Sequence, residues 1–225
     1  MRIAKPAIDV GLYTTNKDSM LDFWQREIGL PFLETLPVGR GVHQLRHGIG
    51  DSILKINHSR DPLPPTPATG YRRLTIAHPD IKAARELKDP DGNRVTLVPT
   101  GTNGVGQLQM HLGVRDPDAQ HDFYQRILGL EATGNGRYRC GASLLSFERD
   151  AHADADAQMR GSGYRYLTIQ VFDVVGEHRA ILSRGGNEGS APTRLGDVAY
   201  ISFVRDPDGN WIEISQRKSI TGSLD

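Results

Sequence analysis

LDFWQREIGL, at residues 21–30, returns as HDFYQRILGL at residues 121–130, and this internal repeat decides how the chain is built. A second pair of segments keeps the same order, since YRRLTIA at 71–77 returns as YRYLTIQ at 164–170. Two matches in the same order are not expected by chance, and repeats of this kind mark a duplicated architecture. The chain is therefore predicted to contain two diverged copies of one building plan.

The repeats divide each copy into two modules. A full module is predicted to begin with an alternating strand, continue with a helix and end with three strands. Module two is shorter, because 18 residues separate its first strand from its DPDGN turn, against 42 in module four. We expect its middle hairpin to be missing. The modules cover roughly residues 6–58, 70–100, 107–149 and 163–217.

Modules three and four show the pattern of each element. QMHLGVR, at 109–115, alternates apolar and polar residues as a half-buried strand does. In the segment 118–130 the apolar residues recur at helical spacing, and Gly129 stands where a left-handed residue ends a helix. DPDGN, at 206–210, has proline and glycine at positions typical of a tight turn. These patterns predict an α+β fold.

Composition restricts the functional classes. The chain has 27 basic and 27 acidic residues, so it has no net charge to attract nucleic acid or an anionic membrane. Its one cysteine, Cys140, excludes an internal disulfide framework. No segment has the apolar length of a signal sequence or a transmembrane helix. We expect a cytoplasmic monomer or homodimer whose partner is a small molecule.

Paired βαβββ modules with a DPDGN turn before an apolar-Glu-apolar strand resemble the vicinal oxygen chelate superfamily, which includes glyoxalase I, extradiol dioxygenases and bleomycin resistance proteins. The resemblance covers nearly the whole chain. It implies four βαβββ-type modules in two pairs, each pair curled into a glyoxalase-like cup, with the second module shortened. It also implies a divalent cation inside a cup, with ligands from the first and last strands.

The resemblance assigns candidate metal ligands by position. His111 and Glu213 match the family's first-strand histidine and last-strand glutamate, and strand alternation turns both away from their apolar neighbours. An imidazole with a carboxylate suits zinc, iron, manganese or nickel. Glu148, at the end of a strand in module three, is a candidate further ligand. The alternative is that His111 is an ordinary hydrogen-bonded histidine, that Glu213 is salt-bridged and that no metal binds.

The second histidine implied by the resemblance is replaced in this chain. Its position falls on Tyr166, which we expect to serve as a ligand, a proton donor or a pocket wall. By alternation Thr168 and Gln170 share its strand face, and Trp211 shares the face of Glu213 in the last strand. Tyr166, Thr168, Gln170 and Trp211 form the expected substrate-binding wall. Glu213 and Tyr166 are the candidate catalytic residues.

The equivalent positions in the first copy carry Asp9, Arg73 and Thr96, which do not form a set of metal ligands. Asp9 and Arg73 have opposite charges, and we expect them to form an ion pair. The chain is therefore expected to divide into residues 1–104, a degenerate and structural module pair, and residues 105–225, the pair that contains the active-site cup.

The expected function is that of a divalent-metal-dependent enzyme of the lyase or isomerase type, acting on a small oxygenated substrate. The ion acts as a Lewis acid that stabilises an enolate while a carboxylate moves the proton. One alternative is a metal-free protein that sequesters a small molecule. Another is a ring-cleaving extradiol dioxygenase, against which Tyr166 at the histidine position argues. A third is an accessory protein whose first copy mediates assembly.

Overall fold

Two β-sheets form the framework of the molecule. The computed structural model describes residues 1–153 and 157–224. Within these residues the strands form one sheet of eight strands and one of seven, with short helices between them. This architecture confirms the α+β fold of paired modules with a shortened second module.

The secondary structure follows the four modules along the chain. Helices α1 and α2 continue as π-helical turns at Asp22–Glu27 and Phe123–Ile127, and a 3-10 turn spans Thr102–Gly104. The elements are β1 (Ile3–Thr14), α1 (Lys17–Leu21), β2 (Phe32–Pro37), β3 (Val42–Ile49), β4 (Ser52–Ser59), β5 (Tyr71–His78), β6 (Arg85–Lys88), β7 (Arg94–Pro99), β8 (Leu108–Val114), α2 (Pro117–Asp122), β9 (Glu131–Gly134), β10 (Arg137–Cys140), β11 (Ser143–Arg149), β12 (Gly163–Val171), α3 (Val174–Ser183), β13 (Asn187–Leu195), β14 (Ala199–Arg205), β15 (Trp211–Arg217) and α4 (Lys218–Thr221).

The modules pair across the two copies. The eight-stranded sheet has the order β13-β14-β15-β12-β1-β4-β3-β2 and joins module one to module four. The seven-stranded sheet has the order β6-β7-β5-β8-β11-β10-β9 and joins module two to module three. This differs from the expected pairing of modules three and four in one cup, and residues 105–225 therefore contribute to both sheets. The division of function at residue 104 stays a prediction.

The physical reason for this difference lies in the first strands. All four alternate apolar and polar residues, and such a pattern specifies which face is buried but not which strand is the neighbour. In the structure β1 runs antiparallel to β12, and β5 runs antiparallel to β8. The neighbour is therefore set by packing of the whole chain.

Module two is shortened, as expected, but the missing elements differ from the expected ones. Residues 71–99 are all described and contain β5, β6 and β7. They have no counterpart of α3 and none of β13, which is the edge strand of module four. The expected loss of a middle hairpin is therefore corrected to the loss of a helix and one edge strand.

The repeated decapeptides form the ends of α1 and α2. In each π-helical turn a backbone N–H reaches a carbonyl five residues earlier, as Leu128 does to Phe123 at 2.8 Å. Gly29 and Gly129 follow with φ of 79° and 78°, a conformation that residues with a Cβ rarely adopt. The predicted left-handed helix end at Gly129 is thus confirmed, and Gly29 has the same conformation. Among the described residues no helix combines the length and apolar character needed to cross a membrane.

One apolar core lies between the two sheets and the helices. The strands supply alternating residues from both sheets, and α1 and α2 supply aromatic residues from the repeated decapeptides. The faces predicted from alternation are confirmed, because the apolar positions of β8, β12 and β15 are all buried here. Members of this core include Ile8, Val10, Leu54, Leu74, Val95, Met110, Leu112, Leu167, Ile169, Ile212, Ile214, Trp24 and Tyr124. The opposite, more polar faces of the central strands are left to form the sites.

Candidate active site

Two polar cups face away from the shared core. We call the inner face of β1, β4, β12 and β15 the first cup, and the inner face of β5, β7, β8 and β11, with β10 beside it, the second cup. The two are related by the repeat, since β1 pairs with β12 and β4 as β8 pairs with β5 and β11. Equivalent positions in the two cups can therefore be compared residue by residue.

Gly11, and not Asp9, takes the position in the first cup that His111 takes in the second. Gly11 lies opposite Tyr166 of β12, and His111 lies opposite Arg73 of β5. The expected equivalence of Asp9 with His111 is therefore wrong by two residues. Alternation places both candidate positions on one face of the strand, so parity alone does not separate them.

Glu213 lies in the first cup and binds an internal cation. Its Oε2 accepts hydrogen bonds from Lys55 Nζ at 2.9 Å and from Thr168 Oγ1 at 2.7 Å. Thr168 Oγ1 in turn accepts from Lys55 Nζ at 2.6 Å. Burial by itself raises the pKa of Glu213, but the Lys55 ammonium and the Thr168 hydrogen bond outweigh burial, and the pKa is lowered. Glu213 is thus an ionised carboxylate neutralised by Lys55.

The ring of Tyr166 fills the first cup beside this pair. Its hydroxyl accepts hydrogen bonds from Asn57 Nδ2 at 3.1 Å and Gln44 Nε2 at 3.3 Å. A Cβ on Gly11 would lie 2.2 Å from the ring carbons, so the ring occupies space that a side chain at Gly11 would need. Burial raises the pKa of Tyr166 well above its usual value, and the charge of Glu213 raises it further. Of the three expected roles for Tyr166, this environment fits the pocket wall.

Asp9 and Arg73 do not form the expected ion pair. Asp9 binds Lys5 and accepts a hydrogen bond from the backbone N–H of Ile53, all in the eight-stranded sheet. Arg73 lies in the seven-stranded sheet, where its Nη1 is 4.0 Å from Glu86. The expectation is wrong because the strand pairing puts the two residues in different cups.

His111 lies in the second cup between two hydroxyl groups. Its Nε2 is 2.9 Å from Thr75 Oγ1, and its Nδ1 is 2.8 Å from Ser146 Oγ. The Arg73 guanidinium is 3.4 Å from the same Nδ1. Because a guanidinium only donates hydrogen bonds, Nδ1 is assigned as the acceptor, and Nε2 carries the proton and donates to Thr75. The surroundings therefore fix both the plane and the tautomer of the imidazole.

The positive charges of three guanidinium groups act on His111. Desolvation is the largest cause that lowers its pKa, followed by the charges of Arg73, Arg137 and Arg94, and the resulting pKa is about 4. The imidazole is therefore neutral at pH 7, with the lone pair of Nδ1 directed to Ser146 and Arg73. The three arginines come from β5, β10 and β7, so the positive charge is assembled by tertiary structure.

A cavity of about 240 Å³ opens beside this group. Arg73 lines the cavity and also contacts His111, which itself does not line the cavity, so Arg73 is the link between the two features. The cavity is lined by Arg73, Glu86, Leu87, Lys88, Arg94, Val95 and Thr96. The second cup is therefore the one with a neutral imidazole, an excess of cationic groups and adjoining space.

The donor set of neither cup fits a divalent cation. In the first cup the charge of Glu213 is neutralised by Lys55, and in the second the guanidinium charges that act on His111 repel a cation. His111 and Glu213 lie in different sheets, so the expected shared site is not formed. Across residues 1–153 and 157–224, no group of three or more His, Cys, Asp or Glu side chains is placed to hold a metal ion.

Of the remaining predicted site residues, Gln170 and Trp211 lie in the sheet of Glu213, where Trp211 packs with Tyr166, and Glu148 lies in the other sheet. Gln170 is buried in β12, where it pairs with Ser215. Trp211 lies in β15, donates from Nε1 to the carbonyl of Ala157 at 2.9 Å and packs against the Arg205 guanidinium. Glu148 is exposed in β11 of the other sheet. The structure therefore brings Thr168 and Tyr166 near Glu213 but leaves Glu148 in the second cup's sheet.

Sequence reasoning missed several residues of the two cups, among them Lys55, Ser146, Arg94 and Arg137. Lys55 and Ser146 occupy equivalent positions in β4 and β11, and alternation in SILKINH and SLLSFER already turns both away from the core. Arg94 and Arg137 carry no such signal, because single arginines at strand starts are common on protein surfaces. Comparing polar residues at matching positions of the repeats would have found the first two.

The lowered pKa of His111 predicts a loss of stability in acid. The pKa is 6.5 for a free histidine and about 4 here, so between these values the unfolded chain binds a proton that the folded chain does not. The His111 contribution to the free energy of unfolding is complete above pH 6.5 and is lost as the pH falls towards 4. Urea denaturation across this range measures how the free energy of unfolding changes with pH. The change should be smaller in His111→Gln than in the wild-type chain and should equal the wild-type change in His152→Gln. The same change in His111→Gln as in the wild-type chain would contradict the environment described.

Comparison with known proteins identifies the family. Residues 105–214 match the family model of the Glyoxalase/Bleomycin resistance protein/Dioxygenase superfamily. The chain is 30% identical over 132 residues to lactoylglutathione lyase of Haemophilus influenzae, covering 52% of this chain and 96% of that protein. It is 29% identical over 126 residues to lactoylglutathione lyase of Neisseria meningitidis, covering 50% of this chain and 91% of that protein.

A solved structure matches nearly the whole chain. Glyoxalase I from Zea mays superimposes with a TM-score of 0.75, covering 96% of this chain and 92% of that one. The sequence identity is 17%, so this likeness establishes the fold alone. The family model and the Haemophilus relative show the family as well, and the chain belongs to the Glyoxalase/Bleomycin resistance protein/Dioxygenase superfamily.

Proposed function

We propose that the chain is an enzyme of the lyase or isomerase type that moves a proton on a small oxygenated substrate bound in the second cup. Superfamily membership and the lactoylglutathione lyase relatives support this class of enzyme. The placement in the second cup is supported by His111. This residue is a neutral imidazole of fixed tautomer near three guanidinium groups and a cavity of about 240 Å³.

The proposed step is proton transfer next to a carbonyl group. On a substrate with a hydroxyl on the carbon beside the carbonyl, the imidazole of His111 accepts the proton of that carbon. The C–H electron pair forms a C=C bond, and the π pair of the carbonyl moves to its oxygen. The hydroxyl proton then moves to that oxygen, and return of the proton from His111 to the former carbonyl carbon leaves a new C=O bond at the neighbouring carbon, which completes an isomerisation. General acid–base catalysis by a positioned side chain contributes roughly 10²–10⁴-fold to such a rate. Thr75 and Ser146 hold the ring in place for it.

The arginines stabilise the charge that this step creates. A proton taken by His111 leaves negative charge on the substrate oxygen, and the positive charges of Arg73, Arg94 and Arg137, which act on His111 from three strands, stabilise it. Negative charge on the substrate also favours the imidazolium form of His111, so the basicity of the ring increases as the substrate becomes an enolate. Such mutual stabilisation is the electrostatic requirement of proton abstraction.

The first cup lacks these properties. Glu213 is bound to Lys55 and Thr168, and the ring of Tyr166 lies across the position of Gly11. A carboxylate that is already paired with an ammonium is a poor base, because protonating it leaves the buried cation uncompensated. Glu213 and Tyr166 are therefore kept as the alternative catalytic pair, to be separated from His111 by mutation.

Replacement of His111 by glutamine is expected to lower kcat/KM by about 100-fold or more. Glutamine keeps polar atoms of similar reach but cannot take up a proton near neutral pH. The assay uses lactoylglutathione, the compound in the relatives' names, and related hydroxy- and keto-carbonyl compounds. His152→Gln is the matched control, because His152 is exposed and distant in sequence from the second-cup strands β5 and β8.

Three outcomes separate the proposal from its alternatives. Full activity in His111→Gln with loss in Glu213→Gln would place the reaction in the first cup. Tight binding of a compound without turnover would favour a sequestration protein of the kind the superfamily name includes. A stoichiometric divalent metal in protein purified without chelator, lost in His111→Gln, would show that the donor-set argument against a cation is wrong.

A further inference from the structure

We infer that the second cup is an anion-binding site for a small molecule that carries a carboxylate or a phosphate group. The inference names the substrate class of the proposed active site, and its relevance to turnover rests on that proposed function. The binding itself does not depend on turnover.

The second cup has an excess of positive charge. Arg73, Arg94 and Arg137 act together on His111 from three strands, and Lys88 lines the same cavity as Arg73 and Arg94. The opposing carboxylates are weakly placed. Glu86 is 72% exposed and 4.0 Å from Arg73, and Glu148 is exposed in β11. Exposed pairs of this kind contribute little, so Glu86 and Glu148 do not neutralise this positive charge.

Two polar atoms of the cavity wall are buried without a hydrogen-bond partner among the described residues. These are Thr96 Oγ1 and Arg73 Nε. Thr96 is 8% exposed, and an unpaired buried polar group costs about 1–3 kcal/mol. A guanidinium only donates, and the hydroxyl can do so, so the missing partner is an acceptor. Carboxylate and phosphate oxygens match the guanidinium fork best among small acceptors.

Comparison with the first cup shows where the missing negative charge belongs. Glu213 lies opposite Thr168 in the first cup, as Thr96 lies opposite Thr75 in the second. In the first cup that carboxylate is bound by an internal ammonium, Lys55. The second cup keeps cationic groups but has threonine at the carboxylate position. The anion that balances these cations is therefore supplied by the ligand.

The space available limits the ligand to a small one. Pockets for drug-sized molecules have volumes of about 300–1,000 Å³, and this cavity has about 240 Å³. It is bounded on one side by the edge strand β6, since module two lacks a further strand beyond it. A carboxylate or phosphate on a short carbon skeleton fits this volume.

Titration calorimetry of the full chain with inorganic phosphate and, separately, succinate tests the inference. We expect one site per chain for at least one probe, and the two probes distinguish a phosphate from a carboxylate ligand. Arg73→Gln and Arg94→Gln should each raise Kd by about tenfold or more, since tenfold corresponds to 1.4 kcal/mol. Thr96→Val, of nearly equal shape, should raise Kd about threefold. Arg179→Gln, on the exposed face of α3, should leave Kd unchanged.

Each result supports or overturns the inference. No binding of either probe to the wild-type chain, or the same Kd in all four variants, overturns it. Circular dichroism of each variant shows that loss of binding is not loss of folding. Anion binding that persists while His111→Gln keeps full turnover leaves this inference standing and removes the proposed function. Loss of turnover in His111→Gln, together with no anion binding to the wild-type chain, supports the proposed function and overturns this inference.

Discussion

Replacing Lys55 by methionine is expected to lower the free energy of unfolding by about 3–5 kcal/mol, as removal of one partner from a buried ion pair does. The side chains of Lys55 and Glu213 are 5% and 11% exposed, and their charged atoms are 2.9 Å apart. Without the ammonium, Glu213 becomes a buried charge whose main remaining hydrogen bond comes from Thr168. Urea denaturation at pH 7 measures the change. A folded domain is stable by about 5–15 kcal/mol, so the variant keeps only part of its stability.

Two control variants define the origin of this loss. The double variant Lys55→Met, Glu213→Gln should recover a large part of it, because no unpaired charge is then buried. Arg26→Met removes the cation of an exposed pair with Asp22, whose side chains are 84% and 62% exposed, and should change stability far less. A cost below 1 kcal/mol for Lys55→Met would mean that the pair is solvated and that the first cup is open.

Addition of a single methyl group at Gly11 is expected to destabilise the fold by about 3 kcal/mol, the upper end of the usual range for overpacking. The new Cβ would lie 2.2 Å from the ring carbons of Tyr166. The ring is held by Asn57 and Gln44 and is only 4% exposed, so it has no room to move away. Thermal and urea unfolding of Gly11→Ala measure the effect.

A double-mutant cycle ties this effect to Tyr166. Tyr166→Ala alone should cost about 3–5 kcal/mol through the cavity that it leaves. In a chain that already carries Tyr166→Ala, the methyl group at Gly11 meets open space, so Gly11→Ala should then cost little. Simple additivity of the two changes would contradict the contact. Gly48→Ala, whose Cβ would lie 3.3 Å from Pro31 and 3.8 Å from Leu33, is the matched control.

The two cups show how one duplicated plan serves different purposes. In the first, Tyr166 fills the space above Gly11 and Lys55 neutralises Glu213, so the cup is closed by its own side chains. In the second cup, His111 occupies the position equivalent to Gly11, and Thr96 occupies the position equivalent to Glu213. Exchange of a few residues at matching positions therefore converts a filled cup into an open cationic one.

The candidate site was only partly predictable from residue patterns. Alternation correctly placed His111, Glu213 and Thr168 on faces turned away from the core, because successive side chains point to opposite sides of a strand. It did not show that His111 and Glu213 lie in different sheets. The expected metal set depended on their meeting in one cup, so it was the part that the tertiary structure changed most.

The sequence by itself determined the duplicated modules, the α+β fold, the buried faces and the glycine ends of the helices. These features depend on local periodicity and backbone conformation, which short segments specify. The tertiary structure decided that module one joins module four, that Lys55 reaches Glu213 and that the charges of Arg73, Arg94 and Arg137 act on His111. These contacts depend on which strand lies beside which, and the four first strands are too alike in pattern for the sequence alone to choose among them.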